Sequence, residues 1–314
     1  MVETGEQEVE HGITVNAPAD VVYGLVADVA NWPNIFPPTV HVEHLERGET
    51  RERIRLWATA NGAAKTWTSV RYLDPVRRRV EFRQEVSQPP VASMGGCWTV
   101  EPVSDTESRV RLSHQYRAVD DDPDNLAWIA RAVDGNSDSE LAAMKAEAEM
   151  AASESRLKME FADTVRMNGS VADAYDFINE ANLWSERLPH VETVRMDEET
   201  PGLQTLEMDT RAKDGSVHTT KSIRVCFRND RVSYKQIVLP PLMKLHTGLW
   251  TFVEESDGVA VTSRHTVVLN EDNITGVLGA DAGVEKAREY VHNALSTNSL
   301  STLGHVREQV EKPR

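Results

Sequence analysis

The sequence predicts an α+β protein of two similar domains, each a curved antiparallel sheet wrapped around a long C-terminal helix, with an internal cavity. Two observations lead to this architecture. The second half of the 314-residue chain repeats the first, and each half contains a short strand, a short helix, a series of strands and a long helix. An antiparallel meander buries its apolar face by curling around such a helix, and the bend leaves space between the two.

The internal repeat is seen at matching positions that lie about 150 residues apart. Shifts of one residue between segments are those that changes in loop length produce. The clearest pairs are Trp32 and Trp184, Ser69 and Ser222, Arg71 and Arg224, Trp98 and Trp250, and His114 and His265. The repeat predicts an N-terminal domain at 1–155 and a C-terminal domain at 156–314, without a flexible linker between them.

Each copy opens with a short apolar strand, at 12–17 and at 163–169. A short amphipathic helix follows, and in the first copy Pro18 stands at its start, where the missing N–H costs nothing. The next segment contains tryptophan and proline (NWPNIFPP, LWSERLPH), and its prolines favour a loop over a helix.

The remaining segments of each copy have strand composition and end in one long helix. In the first copy the strands read HVEHLE, RERIRLWATA, KTWTSVRYL, RRVEFRQEV, GGCWTVEPV and RVRLSHQYRAV, bounded by Gly, Asp, Asn or Pro. The long helices are predicted at 138–159 and at roughly 282–312, because both segments are rich in Ala, Glu, Lys and Leu.

Composition excludes several classes of function. The formal net charge of −16 disfavours nucleic acid and anionic membrane surfaces as partners, since both need concentrated Lys and Arg. No segment has the roughly 18–20 apolar residues of a membrane helix. The acidic N-terminus lacks a secretory signal, and the two cysteines, Cys97 and Cys226, lie one in each half. We therefore expect reduced thiols, a cytoplasmic location and no metal site.

A repeated strand motif, WTSVR at 67–71 and TKSIR at 220–224, raises the question of function. Side chains alternate along a strand, so Trp67, Ser69 and Arg71 share one face. An ordinary solvent-facing pair of Ser69 and Arg71 is one interpretation. The other places a cation and a hydroxyl inside the fold, which is costly unless the protein uses them.

The order of elements resembles the helix-grip fold of the START and Bet v 1-like superfamily. Within it, VNAPADVVYGLVADVANWPNIFP, WTSVR and GGCWTVEPV resemble the aromatase/cyclases of bacterial type II (aromatic) polyketide synthases, and the duplication is similar to their di-domain members. The resemblance implies a cavity that receives a poly-β-ketone on an acyl carrier protein, after a ketosynthase and a ketoreductase have acted. It also implies first-ring aldol closure and dehydration to an aromatic ring.

The resemblance implies catalytic roles for Arg71 and Ser69, which match the pocket arginine and serine of the family. It implies the same roles for Arg224 and Ser222 in the second copy. An arginine can stabilise an enolate oxygen, and a serine can relay a proton or hold a water. This chemistry requires no cofactor. Family members often have a tyrosine seven residues after the tryptophan of the loop, but Thr39 and Val191 stand there, so the phenol is missing or comes from elsewhere in the chain.

Other recurring side chains are candidates for substrate contact. We predict that Trp67, Trp32, Trp98 and His114 contribute in the first copy, and Trp184 and His265 in the second. For Trp32 and Trp184 a place in the core competes with a place at the cavity mouth. Trp98 fits a core aromatic, and the two histidines fit structural residues or reserve acid–base groups. Thr220 replaces Trp67 in the second copy, which removes an aromatic wall.

Two alternatives remain at this stage. A non-catalytic carrier of lipids or other hydrophobic ligands has the same fold and differs only in what lines its cavity. A cavity walled by Leu, Ile and Phe alone favours the carrier, whereas a cationic wall favours the enzyme. Alternatively, only one copy is catalytic and the other serves as a scaffold or as a docking platform for the carrier protein.

Overall fold

The chain divides into two compact units, Met1–Ala151 and Ala152–Arg314. The structure is a computed structural model that describes residues 5–150, 156–211, 215 and 217–312. The boundary expected at residue 155 falls in the segment 151–155, which lies outside the described residues. None of the helices in the described ranges is long and apolar enough to cross a membrane.

The first unit contains one seven-stranded antiparallel sheet. Its strands are β1 (Gln7–Val15), β2 (Thr39–Arg47), β3 (Arg51–Ala60), β4 (Ala63–Asp74), β5 (Arg79–Val86), β6 (Val91–Ser104) and β7 (Glu107–Ala118). The strand order is β1-β7-β6-β5-β4-β3-β2, so the opening strand pairs with the last one. Register shifts in the β2–β3, β4–β5 and β6–β7 pairs are β-bulges or irregularities, and bulges bend a sheet.

Three helices accompany this sheet: α1 (Ala19–Ala27), α2 (Trp32–Ile35) and α3 (Pro123–Glu149). The long helix α3 packs against β1 and β7. It begins where the Asp122 side chain accepts a hydrogen bond from the backbone N–H of Asn125 and Pro123 occupies the first turn. The acidic run at 120–122 is thus the connection into the helix.

The second unit repeats this order. Its strands are β8 (Lys158–Met167), β9 (Val191–Thr200), β10 (Leu203–Arg211), β11 (Val217–Phe227), β12 (Arg231–Val238), β13 (Met243–Glu255) and β14 (Gly258–Leu269). Its helices are α4 (Val171–Asn179), α5 (Trp184–Arg187), α6 (Ile274–Leu278) and α7 (Val284–Val310). The sheet order is β8-β14-β13-β12-β11-β10-β9, and α7 packs on β8 and β14. The predicted α+β class is confirmed.

Two element predictions are wrong in detail. The first long helix starts at Pro123 instead of residue 138 and ends at Glu149, and residues 158 and 159 belong to strand β8. The segment 123–137 is helical because the N-cap and the burial of its apolar face stabilise the helix more than the low helix propensity of its Gly and Ser destabilises it. The Trp-containing segments also form short helices, α2 and α5. Pro33 lies in the first turn of α2, where proline is tolerated, and α5 ends before Pro189.

Candidate active site

The first unit encloses a cavity of about 160 Å³ between the sheet and the long helix. Its walls come from α2, from β3 to β7 and from α3. Apolar side chains such as Ile54, Leu56, Phe82 and Leu112 form much of the surface. A concave, mostly apolar chamber with a few polar groups is the usual form of a site for a small organic ligand.

All six candidate residues of the first copy line this cavity: Trp32, Trp67, Ser69, Arg71, Trp98 and His114. Ser69 is 3% exposed and Arg71 1% exposed, so the interpretation of a solvent-facing pair is wrong. Trp32 and Trp98 are also members of the hydrophobic core. Thr39, which stands at the position of the missing tyrosine, lines the cavity as well.

The guanidinium of Arg71 is held from several sides. Its Nη2 donates to the carbonyl oxygen of Val26 at 2.6 Å, and Nη1 donates to that of Ala27 at 3.3 Å. The group also lies over the ring of Trp32, 4.8 Å from the centroid. Nε, in contrast, is a buried donor without a hydrogen-bond partner. The end of helix α1 therefore fixes the arginine and leaves one N–H unused.

Glu52 is the site residue that sequence reasoning missed. Its carboxylate accepts a hydrogen bond from Nη1 of Arg71 and lies 3.0 Å from Nε2 of His44. Burial lowers the pKa of Arg71, and the negative charge of Glu52 opposes that shift. The alternation of RERIRLW could have revealed it, because Glu52 shares the face of the buried Ile54 and Leu56.

His114 lies on the cavity wall in a dry environment. Burial lowers the pKa of its imidazole to about 4, so the ring is neutral near pH 7. Its ring is 5.5 Å from that of Phe82, and Nδ1 has no hydrogen-bond partner. A neutral imidazole with an unused nitrogen can bind a polar group of a ligand, but it is a weak base.

The site residues of the first unit form a row across the sheet. Glu52, Arg71, Phe82, Gly96 and His114 are successive cross-strand partners on β3, β4, β5, β6 and β7. Direct partners point to the same side of a sheet, so the row faces the cavity. Gly96 is required here, since a Cβ at this position would lie 2.6 Å from Cζ of the Phe82 ring.

The second unit repeats the arginine but not its carboxylate. Nη2 of Arg224 donates to the carbonyl oxygen of Ile178 at 2.6 Å, and the guanidinium lies 5.2 Å from the ring centroid of Trp184. Gln204 faces Arg224 across β10 and β11, in the place that Glu52 has in the first unit. Nη1 of Arg224 is buried and has no partner. Burial lowers the pKa of this arginine as well.

The other candidates of the second copy are also buried. Ser222 is 8% exposed, Trp184 7% and His265 3%, whereas Thr220 is half-buried. Trp184 belongs to the hydrophobic core and donates through Nε1 to the carbonyl of Phe177, as Trp32 does to that of Leu25. Both tryptophans therefore belong to the core, and Trp32 lines the cavity as well.

Comparison with protein families finds the same two-copy organisation. A family model described as polyketide cyclase / dehydrase and lipid transport matches residues 6–149, and a second model with the same description matches residues 167–283. The two matches correspond to the two units of the structure.

Relatives and solved structures extend over the whole chain. The granaticin polyketide synthase bifunctional cyclase/dehydratase of Streptomyces virginiae is 50% identical, over 93% of this chain and 96% of its own. The actinorhodin polyketide synthase bifunctional cyclase/dehydratase of Streptomyces coelicolor is 44% identical, over 97% of each chain. The crystal structure of BexL, a di-domain ARO/CYC from the BE-7585A biosynthetic pathway, has a TM-score of 0.87 at 60% identity. It covers 98% of this chain and 100% of that chain.

The helix-grip fold and the resemblance to two-domain aromatase/cyclases are thus confirmed, on both sequence and structure. These relatives match the present chain over nearly their whole length, and one of them is described as a di-domain protein. The chain belongs to the polyketide cyclase/dehydrase family.

Proposed function

We propose that this enzyme folds a poly-β-ketone bound to an acyl carrier protein, closes its first ring by an aldol reaction and dehydrates that ring to an aromatic one. The single observation that carries the proposal is the pair of Arg71 and Ser69, a buried cation and a buried hydroxyl on the wall of a mostly apolar chamber. The names of the relatives, bifunctional cyclase/dehydratases of polyketide synthases, support the same reaction class.

An apolar chamber supports the first requirement of the reaction, a folded substrate. A flexible poly-β-ketone has many conformations, and confinement between sheet and helix selects those with the reacting carbons close together. Preorganisation of this kind can supply about 7–11 kcal/mol of the barrier in favourable cases. Trp67, Trp98 and Phe82 provide flat apolar walls for the enolised chain.

Arg71 supports the second requirement, a polarised carbonyl. As a proton leaves the carbon next to a carbonyl, negative charge develops on the oxygen, and a fixed cation in a dry site stabilises it. The unused Nε–H of Arg71 is the donor that we assign to this oxygen. Ser69, two residues away on the same face, holds a water or relays the proton.

The negative charge of Glu52 balances the positive charge of Arg71. The carboxylate compensates the cation in the absence of substrate, which lowers the cost of burying Arg71. It also fixes the orientation of the guanidinium, so the enzyme does not reorganise this group during the reaction.

Reconstitution with a ketosynthase, a carrier protein and a ketoreductase tests the proposal. We expect the wild-type protein to convert shunt products into the aromatic product, and Arg71→Ala to lower that conversion at least tenfold. Arg111→Ala, on an exposed ion pair with Glu101, is the control and should behave as wild type. A carrier of hydrophobic ligands would retain lipid on purification and would alter no product, which would refute the proposed activity.

A further inference from the structure

A row of four residues crosses the sheet of the second unit. Arg224, Tyr234, Gly248 and His265 are successive cross-strand partners on β11, β12, β13 and β14. Gly248 has no side chain, and the ring of Tyr234 lies over it, since a Cβ on Gly248 would be 2.2 Å from Cζ of the tyrosine. The glycine therefore lets the phenol reach across one strand toward His265.

The phenol ends in a buried hydrogen-bonded cluster. Its oxygen lies 3.2 Å from Nδ1 of His265 and 3.5 Å from Nε2 of His246, and these two nitrogens are 2.9 Å apart. On its other side, Nε2 of His265 lies 2.8 Å from Oγ of Ser299 on helix α7. The phenol, the two imidazoles and the serine thus form one continuous hydrogen-bonded cluster.

Both imidazoles are neutral near pH 7. Burial lowers the pKa of His246 to about 3 and that of His265 to about 4. A neutral pair in this geometry shares one hydrogen between the two facing nitrogens. In the tautomer in which Nε2–H of His265 donates to Oγ of Ser299, Nδ1 of His265 is the acceptor, and the O–H of Tyr234 at 3.2 Å can donate to the same lone pair. Burial also raises the pKa of Tyr234, so the resting phenol keeps its proton.

The first unit lacks this cluster although its backbone row is the same. Phe82 occupies the place of Tyr234 beside the arginine and the glycine, and Leu112 occupies the place of Ser263 opposite the tryptophan. Met94, two residues before Gly96, corresponds to His246, two residues before Gly248. Oγ of Ser263 lies 3.2 Å from Nε2 of His265. Three positions that are apolar in the first unit are thus polar in the second, in a buried region where polar groups are costly unless the protein uses them.

Arg224 adds a positive charge to the same row. Gln204 replaces the carboxylate that neutralises Arg71, and Nη1 of Arg224 is buried without an acceptor. A buried cation with an unused N–H favours a negatively charged or strongly polarised oxygen as its partner. Arg224 and Tyr234 are direct cross-strand neighbours, so both can reach one ligand.

Building on the function proposed above, we propose that the second unit carries a dehydration site in which Tyr234 is the proton-transfer group. Its substrate is a cyclic β-hydroxy carbonyl compound, the product of an aldol closure. Arg224 holds the carbonyl oxygen through Nη1, and Tyr234 contacts the carbon and the hydroxyl that react. His265 and His246 act through Tyr234 and are positioning residues.

The step balances without any further reactant. The O–H of Tyr234 gives its proton to the departing hydroxyl as the C–O bond breaks. The phenolate that remains takes the proton from the carbon next to the carbonyl, which restores the phenol. Arg224 holds the carbonyl oxygen and stabilises the negative charge that develops on it. One C–H and one C–O bond break, a C=C bond forms, and water leaves.

Tyr234→Phe tests the proposal and should fold, because Phe82 lies over Gly96 in the same way. With a carrier-bound substrate we expect the ratio of dehydrated to hydrated cyclic product to fall at least tenfold, with kcat reduced and KM within twofold. General acid–base catalysis typically contributes about 10²–10⁴-fold, so the effect is measurable. Tyr290→Phe removes a half-exposed phenol from α7 and is the matched control.

A second variant tests the imidazole pair. His246→Met introduces the residue of the first unit and should lower kcat for dehydration, and the solvent deuterium isotope effect should change because the phenol that transfers the proton loses one of its hydrogen-bond partners. The proposal is overturned if Tyr234→Phe and His246→Met both keep the wild-type product ratio, or if they lower only the melting temperature. If the wild-type protein itself alters no product, the proposed function fails instead.

Discussion

The carboxylate of Glu52 and the guanidinium of Arg71 form an ion pair inside the first unit, with side chains 5% and 1% exposed. In the second unit the cross-strand partner of Arg224 is Gln204, whose Nε2 donates to a carboxylate oxygen of Glu198 at 2.8 Å. Both units therefore bury an arginine, but its cross-strand partner is a carboxylate in the first unit and an amide in the second. The two sites differ in electrostatics more than in backbone structure.

Replacing Glu52 by glutamine should destabilise the first unit. The change keeps the shape of the side chain but leaves Arg71 without its countercharge, and hydrogen bonds to charged groups contribute about 1.5–3 kcal/mol. We expect a fall of that size in the free energy of unfolding, measured as a lower melting temperature. Glu46→Gln removes an exposed carboxylate from β2 and is the control. Equal melting temperatures for the two variants would contradict the assignment.

Gly248→Ala should disturb the Tyr234 row. The new methyl group would meet the tyrosine ring at 2.2 Å, and overpacking of this kind costs about 1–3 kcal/mol. We expect a lower melting temperature together with loss of dehydration, as the phenol moves away from His265. Gly276→Ala in α6, where a Cβ meets nothing within 4 Å, should be neutral or stabilising. A fully active Gly248→Ala enzyme would contradict the geometry of the row.

The buried histidines should make the protein sensitive to acid. The unfolded chain binds protons at His246 and His265 as the pH falls through about 6.5, whereas the folded chain does so only near pH 3 and 4. Between these values the unfolded state holds more protons, so the free energy of unfolding falls as the pH falls.

His246→Met should therefore reduce the loss of stability between pH 7 and pH 5. The measurement is the difference in melting temperature between the two pH values, for the wild type and the variant. His218→Gln changes an exposed histidine on β11 and should leave that difference as in the wild type. If His246→Met left the difference in melting temperature between the two pH values unaltered, this imidazole would not be buried as a neutral group.

Trp67→Thr should weaken control over the folding of the substrate. The substitution copies Thr220 of the second unit and removes an aromatic wall from the first cavity. We expect the aromatic product to remain but its share to fall, with more products of alternative cyclisation, in the reconstituted system. An unchanged product distribution would mean that Trp67 does not confine the substrate.

Much of the fold could be predicted because the same pattern of strands, turns and helices occurs twice in the sequence. Strand alternation, turn residues and the repeated tryptophans locate the same elements in two independent copies, and the order of elements determines which packings are available. The start of helix α3 was harder to predict, because the segment before residue 138 mixes Gly, Asn and Ser with an apolar face. The cap formed by Asp122 and Pro123 is the local signal that decides it.

The repeated sequence also identified Ser69 and Arg71 as one chemical unit, but it could not determine which face of the strand is inside. That depends on the packing of α3 across the sheet, a contact between residues far apart in the chain. The partners of Glu52, Tyr234 and His246 likewise emerge only in the folded protein, although strand alternation could have placed Glu52 on the inner face. These partners lie on neighbouring strands, and cross-strand register, set by turns and bulges along the whole sheet, brings them within hydrogen-bond distance.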